Sequence, residues 1–223
     1  MGEPSASIWN KLGRTLLFPL QPNSQMNKLI FATNNQHKVD EIKSVIGDLF
    51  KVISLKEAGI DIDIPEPHDT LEQNASEKSR TIFKLTNENC FSEDTGLETE
   101  ALNGAPGVKS ARYAGEESNS NNNIRKLLDA LEGITNRKAR FRTVISLILN
   151  GKEYLFEGIC EGFINYNTLG DGGFGYDSVF IPVGSNHTFA EMHVDEKNCF
   201  SHRRKATDKL VSFLSQNWKI LFH

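Results

Sequence analysis

Near the start of its regular part, the chain passes from a short apolar segment through a polar loop directly into an amphipathic helix. Residues 28–33 have the length and composition of a buried strand. Apolar residues then recur at three- and four-residue steps, at Val39, Ile42, Val45, Ile46 and Leu49. A strand at 51–55, an extended segment at 60–64, a helix at 70–85 and a strand at 90–92 follow. This alternation of strands and helices favours an α/β fold.

The second half of the chain contains a predicted hairpin. The apolar segments 140–149 and 154–164 flank Asn150-Gly151, a dipeptide typical of a tight turn. A helix through Leu127 and Leu131 precedes the hairpin, and a strand at 179–181 and a helix opened by Ser201 follow it. We therefore expect a mixed-sheet α/β protein.

Composition and charge narrow the possible functions. The 223 residues include 25 Lys and Arg against 29 Asp and Glu, and the net charge of −4 argues against a general nucleic-acid-binding surface. The three cysteines are far apart and lack a CxxC spacing, which argues against a disulfide framework or a zinc site and favours a reducing, cytoplasmic environment. No apolar run approaches the roughly 18 residues of a membrane span, so we expect no membrane association.

The first 25 residues differ in composition from the rest of the chain. They contain three prolines and one short apolar run, at 16–20. A secretory signal would need a longer apolar region and a small-residue cleavage site. We expect residues 1–25 to be a disordered extension or the product of an upstream start, with a targeting or docking segment as the alternative. Residues 26–223 form the predicted domain.

The first candidate site is the polar segment between the first strand and the first helix, Thr33-Asn34-Asn35-Gln36-His37-Lys38. Unpaired backbone N–H groups and the positive end of the helix dipole favour an anion at such a junction. The hydroxyl, amide and ammonium groups of Thr33, Asn35 and Lys38 suit a phosphate chain. The segment lacks the Walker pattern GxxxxGK[ST], and a simple capped helix start is the alternative.

A second candidate site is the acidic pair Glu93-Asp94, which follows an apolar strand. Buried carboxylates are costly unless a cation neutralises them. Oxygen ligands without His or Cys suggest Mg²⁺, which proteins bind through one or two carboxylates plus substrate phosphates. Glu66 and Glu72 are further acidic residues earlier in the chain, and a solvated acidic turn is the alternative interpretation.

The third candidate is a glycine-rich loop at 170–177, with the sequence GDGGFGYD. Glycines allow the backbone to approach a ligand closely. Phe174 and Tyr176 offer flat faces for a base, and Asp177 offers a hydrogen-bond acceptor. The alternative is a hairpin loop whose aromatic side chains pack in the core.

The fourth candidate is a basic run at the start of the last helix, Ser201-His202-Arg203-Arg204-Lys205. The helix dipole disfavours cations at that position, and such departures from local rules are expected at functional sites. Lys197 adds a donor nearby in the sequence. A basic surface patch is the alternative. Together the four segments supply phosphate donors, an acid pair for a metal, a stacking loop and donors for a base edge, as a nucleotide pyrophosphohydrolase requires.

These segments resemble the noncanonical purine nucleoside triphosphate pyrophosphatases, the inosine triphosphate pyrophosphatase family. The resemblance extends from about Met26 to Gln216, and its motifs occur in family order and spacing. They are ATNNQHK at 32–38, EDTGL at 93–97, LNGAPG at 102–107, GGFGYD at 172–177 and SHR at 201–203.

The resemblance implies Mg²⁺-dependent hydrolysis of inosine, deoxyinosine and xanthosine triphosphates to the monophosphate and pyrophosphate. It also implies an elongated two-lobed fold with a mixed sheet, flanking helices and a cleft between the lobes, and a homodimer. Residues 33–38 would bind the triphosphate, Asp94 would be the proton acceptor and a metal ligand, and Thr95 would contact the substrate. The base and its surroundings would be held by Phe174, Gly175, Tyr176, Asp177, Lys197, His202 and Arg203.

The chain departs from the family pattern in two places. Ser178 replaces a usual proline, which should soften a turn without removing a ligand. In the segment 70–75, Gln73 stands at the place of a family glutamate, and the acid is displaced to Glu72. The second metal carboxylate is therefore either Glu66 or Glu72, and we favour Glu66.

Base selectivity should follow hydrogen-bond polarity. Arg203 or a protonated His202 can donate to a 6-oxo group but opposes a 6-amino group, and a buried donor facing a donor costs about 1–3 kcal/mol. Exclusion of guanine must involve its 2-amino group. The rival functions are a pyrophosphatase for modified pyrimidine nucleotides, a nucleotide sensor without turnover and, more distantly, an RNA-binding module.

Overall fold

A computed structural model describes residues 28–46 and 50–221. The proposed extension at 1–25 lies outside the described residues, as does Leu49 of the first helical pattern. The strands are β1 (Lys28–Phe31), β2 (Lys51–Ser54), β3 (Cys90–Thr99), β4 (Pro106–Gly107), β5 (Lys138–Leu149), β6 (Lys152–Ile164) and β7 (Phe180–Pro182). The helices are α1 (Gln36–Ile46), α2 (Leu71–Thr86), α3 (Ser120–Ala130), α4 (Val194–Phe200) and α5 (His202–Leu221).

The described strands form one mixed sheet, which confirms the predicted α/β class. Its order is β2-β1-β3-β5-β6-β7, with β4 paired to β3. β1 pairs in parallel with β2 and β3, whereas β3, β5, β6 and β7 pair in antiparallel fashion. Asn150 and Gly151 both have positive φ angles, of 50° and 77°, as the predicted tight hairpin turn requires.

Two local features differ from the sequence analysis. β3 does not end at the acidic segment but continues to Thr99, because its second half pairs with β5. The predicted extended segment 60–64 pairs with no strand of the described chain, and Ile60, Ile62 and Ile64 pack against the core. The short helix α4 was not predicted, because its seven residues are too few to show a helical period.

Helices cover both faces of the first part of the sheet. Helices α1 and α5 pack on one face, against alternate residues such as Phe31 and Phe91. The rings of these two residues stack at a centroid distance of 4.5 Å. Helix α2 covers the opposite face, where Ile82 contacts Ile30 and Cys90. Side-chain alternation along a strand therefore decides which helix each residue of β3 meets.

A second core region lies at the other end of the molecule. There Leu127 of α3 packs with Phe141, Phe180 and Phe189 on the far half of the β5–β6 hairpin. The first strand ends at Phe31, whereas the paired strand β3 continues past it. This leaves an open edge of β3 between the two core regions, at the carboxyl end of parallel strands, where ligands of α/β sheets commonly bind. No helix within the described ranges is long and apolar enough to cross a membrane.

Helix α5 approaches the sheet unusually closely at one glycine. Gly158 of β6 is buried, and a Cβ atom there would collide with the His202 carbonyl oxygen and the Ala206 nitrogen. The missing side chain therefore lets the first turn of α5 lie directly on β6. This contact positions the side chains of His202 and Arg203 relative to β3.

We expect Gly158→Ala to lower the free energy of unfolding by at least about 2 kcal/mol, because the added methyl group meets backbone atoms that can yield only if α5 moves. Thermal and urea unfolding followed by circular dichroism measure the change. Lys152→Gln, at an exposed position of the same strand, should change stability by no more than about 0.5 kcal/mol. Equal stability of the two variants would contradict the close approach.

Candidate active site

The predicted site residues converge on a cleft of about 220 Å³ at the open edge of β3. Ten of them line it: Asn35, Lys38, Thr95, Phe174, Gly175, Tyr176, Asp177, Lys197, His202 and Arg203. They come from the start of α1, from β3, from the glycine-rich loop and from α4 and α5. Segments separated by more than 100 residues in sequence thus form one site.

The loop before α1 is shaped by its own polar side chains. The Thr33 hydroxyl accepts a hydrogen bond from the Asn35 backbone N–H at 3.2 Å, and Asn35 Oδ1 accepts one from the Lys38 N–H at 3.2 Å. Asn35 therefore caps the helix and presents its first turn to the cleft. The capped helix start is therefore present, and an anion site at the same place stays a prediction.

Two other side chains of this segment bond residues outside the cleft, and a third contacts a residue of its lining. Asn34 donates to the Ile62 carbonyl at 3.1 Å, and Gln36 donates to Asp40 at 2.7 Å. The His37 ring stacks on Phe174 with a centroid distance of 5.3 Å. Of the segment 33–38, Asn35 and Lys38 are the residues that line the cleft.

On the α2 face of the sheet, Asp94 and Glu66 share one lysine. Lys78 donates to Glu66 Oε1 at 2.7 Å and to Asp94 Oδ1 at 2.9 Å. Burial raises the pKa of Asp94 above its ordinary value, although the Lys78 ammonium opposes this. Burial would lower the pKa of Lys78, but the two carboxylates raise it, so the lysine remains charged. The other oxygen of Asp94, Oδ2, is buried and has no hydrogen-bond partner among the described residues.

Glu72 lies elsewhere, so the structure distinguishes the two candidate partners of Asp94. Its carboxylate pairs with Arg142, which also contacts Glu98 and Glu157. Glu66 is the acid that lies beside Asp94, held through Lys78 and by Arg112 at 3.3 Å. The geometry agrees with the preference for Glu66.

Glu93 faces the opposite side of the sheet from Asp94, because neighbouring residues of a strand alternate. The two residues therefore do not form a joint metal site. Arg203 Nε donates to both Glu93 oxygens, at 3.0 and 2.8 Å, and Lys38 Nζ lies 3.2 Å from Oε1. Burial disfavours the charge, but Arg203 and Lys38 lower the pKa of Glu93 to about 2. Glu93 is thus a permanently charged buried carboxylate.

The glycine-rich loop closes one end of the cleft. Asp177 accepts hydrogen bonds from the Phe174 backbone N–H at 2.9 Å and from Lys197 at 2.8 Å. Gly173, at a φ of +72°, leaves room for that carboxylate. Phe174 lines the cleft, whereas Tyr176 is 3% exposed and donates its hydroxyl to the Ser110 carbonyl at 2.9 Å. Of the two aromatic residues, Phe174 is therefore the one whose ring is not committed to the core, and His37, Lys197 and Arg203 already contact it.

His202 is buried and neutral. Its ring stacks on Phe141 with a centroid distance of 4.6 Å, and its Nδ1 atom has no partner among the described residues. Burial and the neighbouring cations, Arg203 first among them, lower the pKa of His202 well below its ordinary value. These effects disfavour the protonated form of His202 that was considered as an alternative donor. A neutral ring can still present one donor and one acceptor nitrogen.

Several residues of the site were missed in the sequence, among them two charged residues that contact predicted ones, Lys78 and Glu41. Lys78 lies on the buried stripe of α2 that also contains Leu71, Ala75 and Ile82, and a lysine in an apolar stripe is a recognisable signal. Glu41 contacts both Lys197, at 2.9 Å, and Arg203. It follows Lys38 by three residues and so shares its helical face, but no local pattern indicates its distant partners.

The buried neutral His202 predicts an acid-sensitive stability. Below the ordinary His pKa of about 6.5, this histidine binds a proton in the unfolded chain but not in the folded protein. The free energy of unfolding therefore falls with decreasing pH, by up to about 1.4 kcal/mol per pH unit. Denaturant unfolding from pH 7.5 to 5.5 measures this slope, and His202→Gln should flatten it. The exposed His193, changed to Gln, is the control and should keep the wild-type slope. A wild-type slope in His202→Gln contradicts the assignment.

Comparisons with known proteins identify the family. A model of the Ham1 family matches residues 29–213. The chain is 51% identical over 190 residues to a dITP/XTP pyrophosphatase of Porphyromonas gingivalis, covering 85% of this chain and 98% of that protein. It is 48% identical over 186 residues to one of Flavobacterium psychrophilum, covering 83% and 98%. The solved structure of the Staphylococcus aureus Ham1 protein matches with a TM-score of 0.78 at 38% identity, covering 85% and 99%. The family expected from the motifs is confirmed, and the chain belongs to the Ham1 family.

Proposed function

We propose that this protein hydrolyses noncanonical purine nucleoside triphosphates (the triphosphates of inosine, deoxyinosine and xanthosine) to the monophosphate and pyrophosphate, and so removes them from the nucleotide pool. The observation that carries the proposal is the cleft itself. It joins the start of α1 and Lys38, groups suited to phosphates, at one end to Phe174, His202 and Arg203 at the other. The two relatives described above are named dITP/XTP pyrophosphatases, after deoxyinosine and xanthosine triphosphates, which supports the same substrate class for this protein.

The residues beside Lys78 fit a magnesium ion that binds together with the substrate. Asp94 Oδ2 is a buried oxygen without a partner in the described part of the chain, and Glu66 accepts a hydrogen bond from the same lysine that bonds Asp94 Oδ1. No group of three or more His, Cys, Asp or Glu residues suited to a metal occurs in the described ranges. Two carboxylates are sufficient for Mg²⁺, which takes its remaining ligands from water and substrate phosphates. We propose Asp94 and Glu66 as its ligands, and the ion would neutralise charge that develops on the phosphates.

Asp94 is suited to act on the attacking water. We propose that its carboxylate orients or deprotonates this water, the role of a general base within hydrogen-bond reach of the attacking group. The water oxygen bonds to the α-phosphorus, the bond from that phosphorus to the bridging oxygen breaks, and pyrophosphate leaves. Lys38, Lys78 and the first turn of α1 provide positive charge for the leaving group.

Base selectivity is proposed to arise at the opposite end of the cleft. Arg203 is fully charged and is held by Glu93 and Glu41, so its remaining N–H groups have a fixed direction. A fixed donor favours a 6-oxo group and leaves a 6-amino group facing another donor, which costs about 1–3 kcal/mol. Phe174 would supply the stacking surface.

The function is tested by incubating the protein with Mg²⁺ and the triphosphates of deoxyinosine, xanthosine, adenosine, guanosine and a modified pyrimidine, with pyrophosphate and orthophosphate assayed separately. We expect pyrophosphate from the first two. Asp94→Asn should keep substrate binding while turnover falls by about 10²-fold or more, the typical contribution of a general base. Orthophosphate as the product, or normal turnover in the variant, would contradict the assignment.

We further propose a cytoplasmic homodimer. A groove of about 520 Å³ on the far half of the hairpin contains the exposed apolar residues Phe163 and Val183. Acidic and basic side chains flank them, including Glu161 and Lys138, so the surface is complementary to a copy of itself.

Light scattering of the purified protein tests the dimer, with a mass near twice 25.0 kDa as the expected result. Phe163→Asp should shift the protein towards the monomer, because it places a charge in the apolar centre of the groove. A wild-type mass equal to one chain would contradict the homodimer.

A further inference from the structure

Charged side chains of alternating sign form a continuous series of contacts along the cleft. In order from the glycine-rich loop, this ion chain consists of Asp177, Lys197, Glu41, Arg203, Glu93 and Lys38. Its three acids and three bases balance in charge. The series begins beside the stacking residue Phe174 and ends at the helix start proposed for the phosphates.

Glu93 is the member of the ion chain that joins the base end to the phosphate end. Its side chain has no solvent exposure, and it accepts two hydrogen bonds from Arg203 Nε, at 3.0 and 2.8 Å. Lys38 Nζ lies 3.2 Å from one of the same two oxygens. Arg203 and Lys38 therefore share one buried carboxylate, and neither can move far without disturbing the other's partner.

Asp94, the neighbouring acid, does not take part in this link. It faces α2 and contacts Lys78, on the other side of the sheet. Thr95, which returns to the Glu93 face, lies 3.4 Å from Glu93 and 3.4 Å from Arg203, and bonds Thr143 at 2.6 Å. The Glu93 carboxylate is thus held by groups of three elements, α1, β3 and α5.

We propose that Glu93 is a positioning residue that sets the spacing between the base donor Arg203 and the phosphate-binding Lys38, and thereby couples base selection to phosphate binding. This inference rests on the proposed function of the cleft. A nucleotide gains both contacts only when its base and its phosphates lie at the spacing that Glu93 imposes. A nucleotide whose base cannot accept a hydrogen bond from Arg203 binds in a shifted position and loses the contact with Lys38 as well. Both ends of the cleft therefore contribute to selectivity.

The test compares deoxyinosine triphosphate with deoxyadenosine triphosphate. Their dissociation constants are measured by calorimetry without added divalent cation, and kcat/KM is measured with Mg²⁺. Glu93→Gln retains both Arg203 and Lys38 but removes the negative charge that they share. The preference for the deoxyinosine over the deoxyadenosine nucleotide should then fall by at least about 5-fold, the lower range for coupled sites. Lys38→Met should reduce the preference likewise, although Lys38 lies at the phosphate end.

Two matched variants separate coupling from a general loss of positive charge. Arg112 contacts Glu66 on the metal side and lies outside the ion chain. Arg112→Met should weaken the binding of both nucleotides equally. The preference for the deoxyinosine nucleotide should stay within about twofold of the wild-type value, as expected for independent sites. Lys38→Arg preserves the charge beside Glu93 and should restore most of the preference.

An unchanged preference in Glu93→Gln and Lys38→Met would overturn the proposal, and so would an equal loss in Arg112→Met. If circular dichroism shows that Glu93→Gln does not fold, the comparison of Lys38→Met with Arg112→Met decides alone. Absence of pyrophosphate formation by the wild-type protein would contradict the proposed function but not the coupling, because the ratio of dissociation constants requires no turnover. A wild-type protein that does not prefer the deoxyinosine nucleotide would overturn both.

Discussion

The site depends on the alternation of side chains along β3 beyond the end of β1. The side chains that face α2 are those of Cys90, Ser92 and Asp94. Ser92 donates a hydrogen bond to the Ala75 carbonyl, and Asp94 accepts one from Lys78. Phe91, Glu93 and Thr95 face the opposite side. Since a strand has only these two faces, adjacent acids are separated into two environments. One acid becomes the candidate base and proposed metal ligand, and the other becomes an anchor for cations.

Burying this much charge is costly, and the structure offsets the cost by pairing. An unpaired ion in a protein interior costs several kcal/mol, whereas alternating charges with directed hydrogen bonds compensate one another. Arg203 is the clearest case, because it is buried and its pKa is raised further by Glu93 and Glu41 in spite of burial. Such pairing contributes little to net stability. Its consequence here is that donors in the cleft have fixed directions before any substrate binds, as selective recognition requires.

Particular elements show how far the sequence predicts the fold. The hairpin at Asn150-Gly151 follows from turn chemistry, and α2 follows from its helical period and its Thr70 cap, which accepts a hydrogen bond from the Gln73 N–H. The extent of β3 could not be predicted, because the second half of the strand is polar and is held by pairing with β5. Whether the extended segment 60–64 joins the sheet could not be predicted either: its alternating isoleucines pack on the core, but the segment pairs with no strand of the described chain.

The sequence by itself determined the mixed α/β class, the motifs and their order, and hence the family and the residue types of the site. These depend on local periodicity and on short segments, which the chain specifies without long-range contacts. Only the tertiary structure decided that Glu66 rather than Glu72 lies beside Asp94, that Lys78 and Glu41 belong to the site, and that His202 is neutral. Each of these depends on which distant side chains share a buried volume, and burial and charge pairing act through space rather than along the sequence.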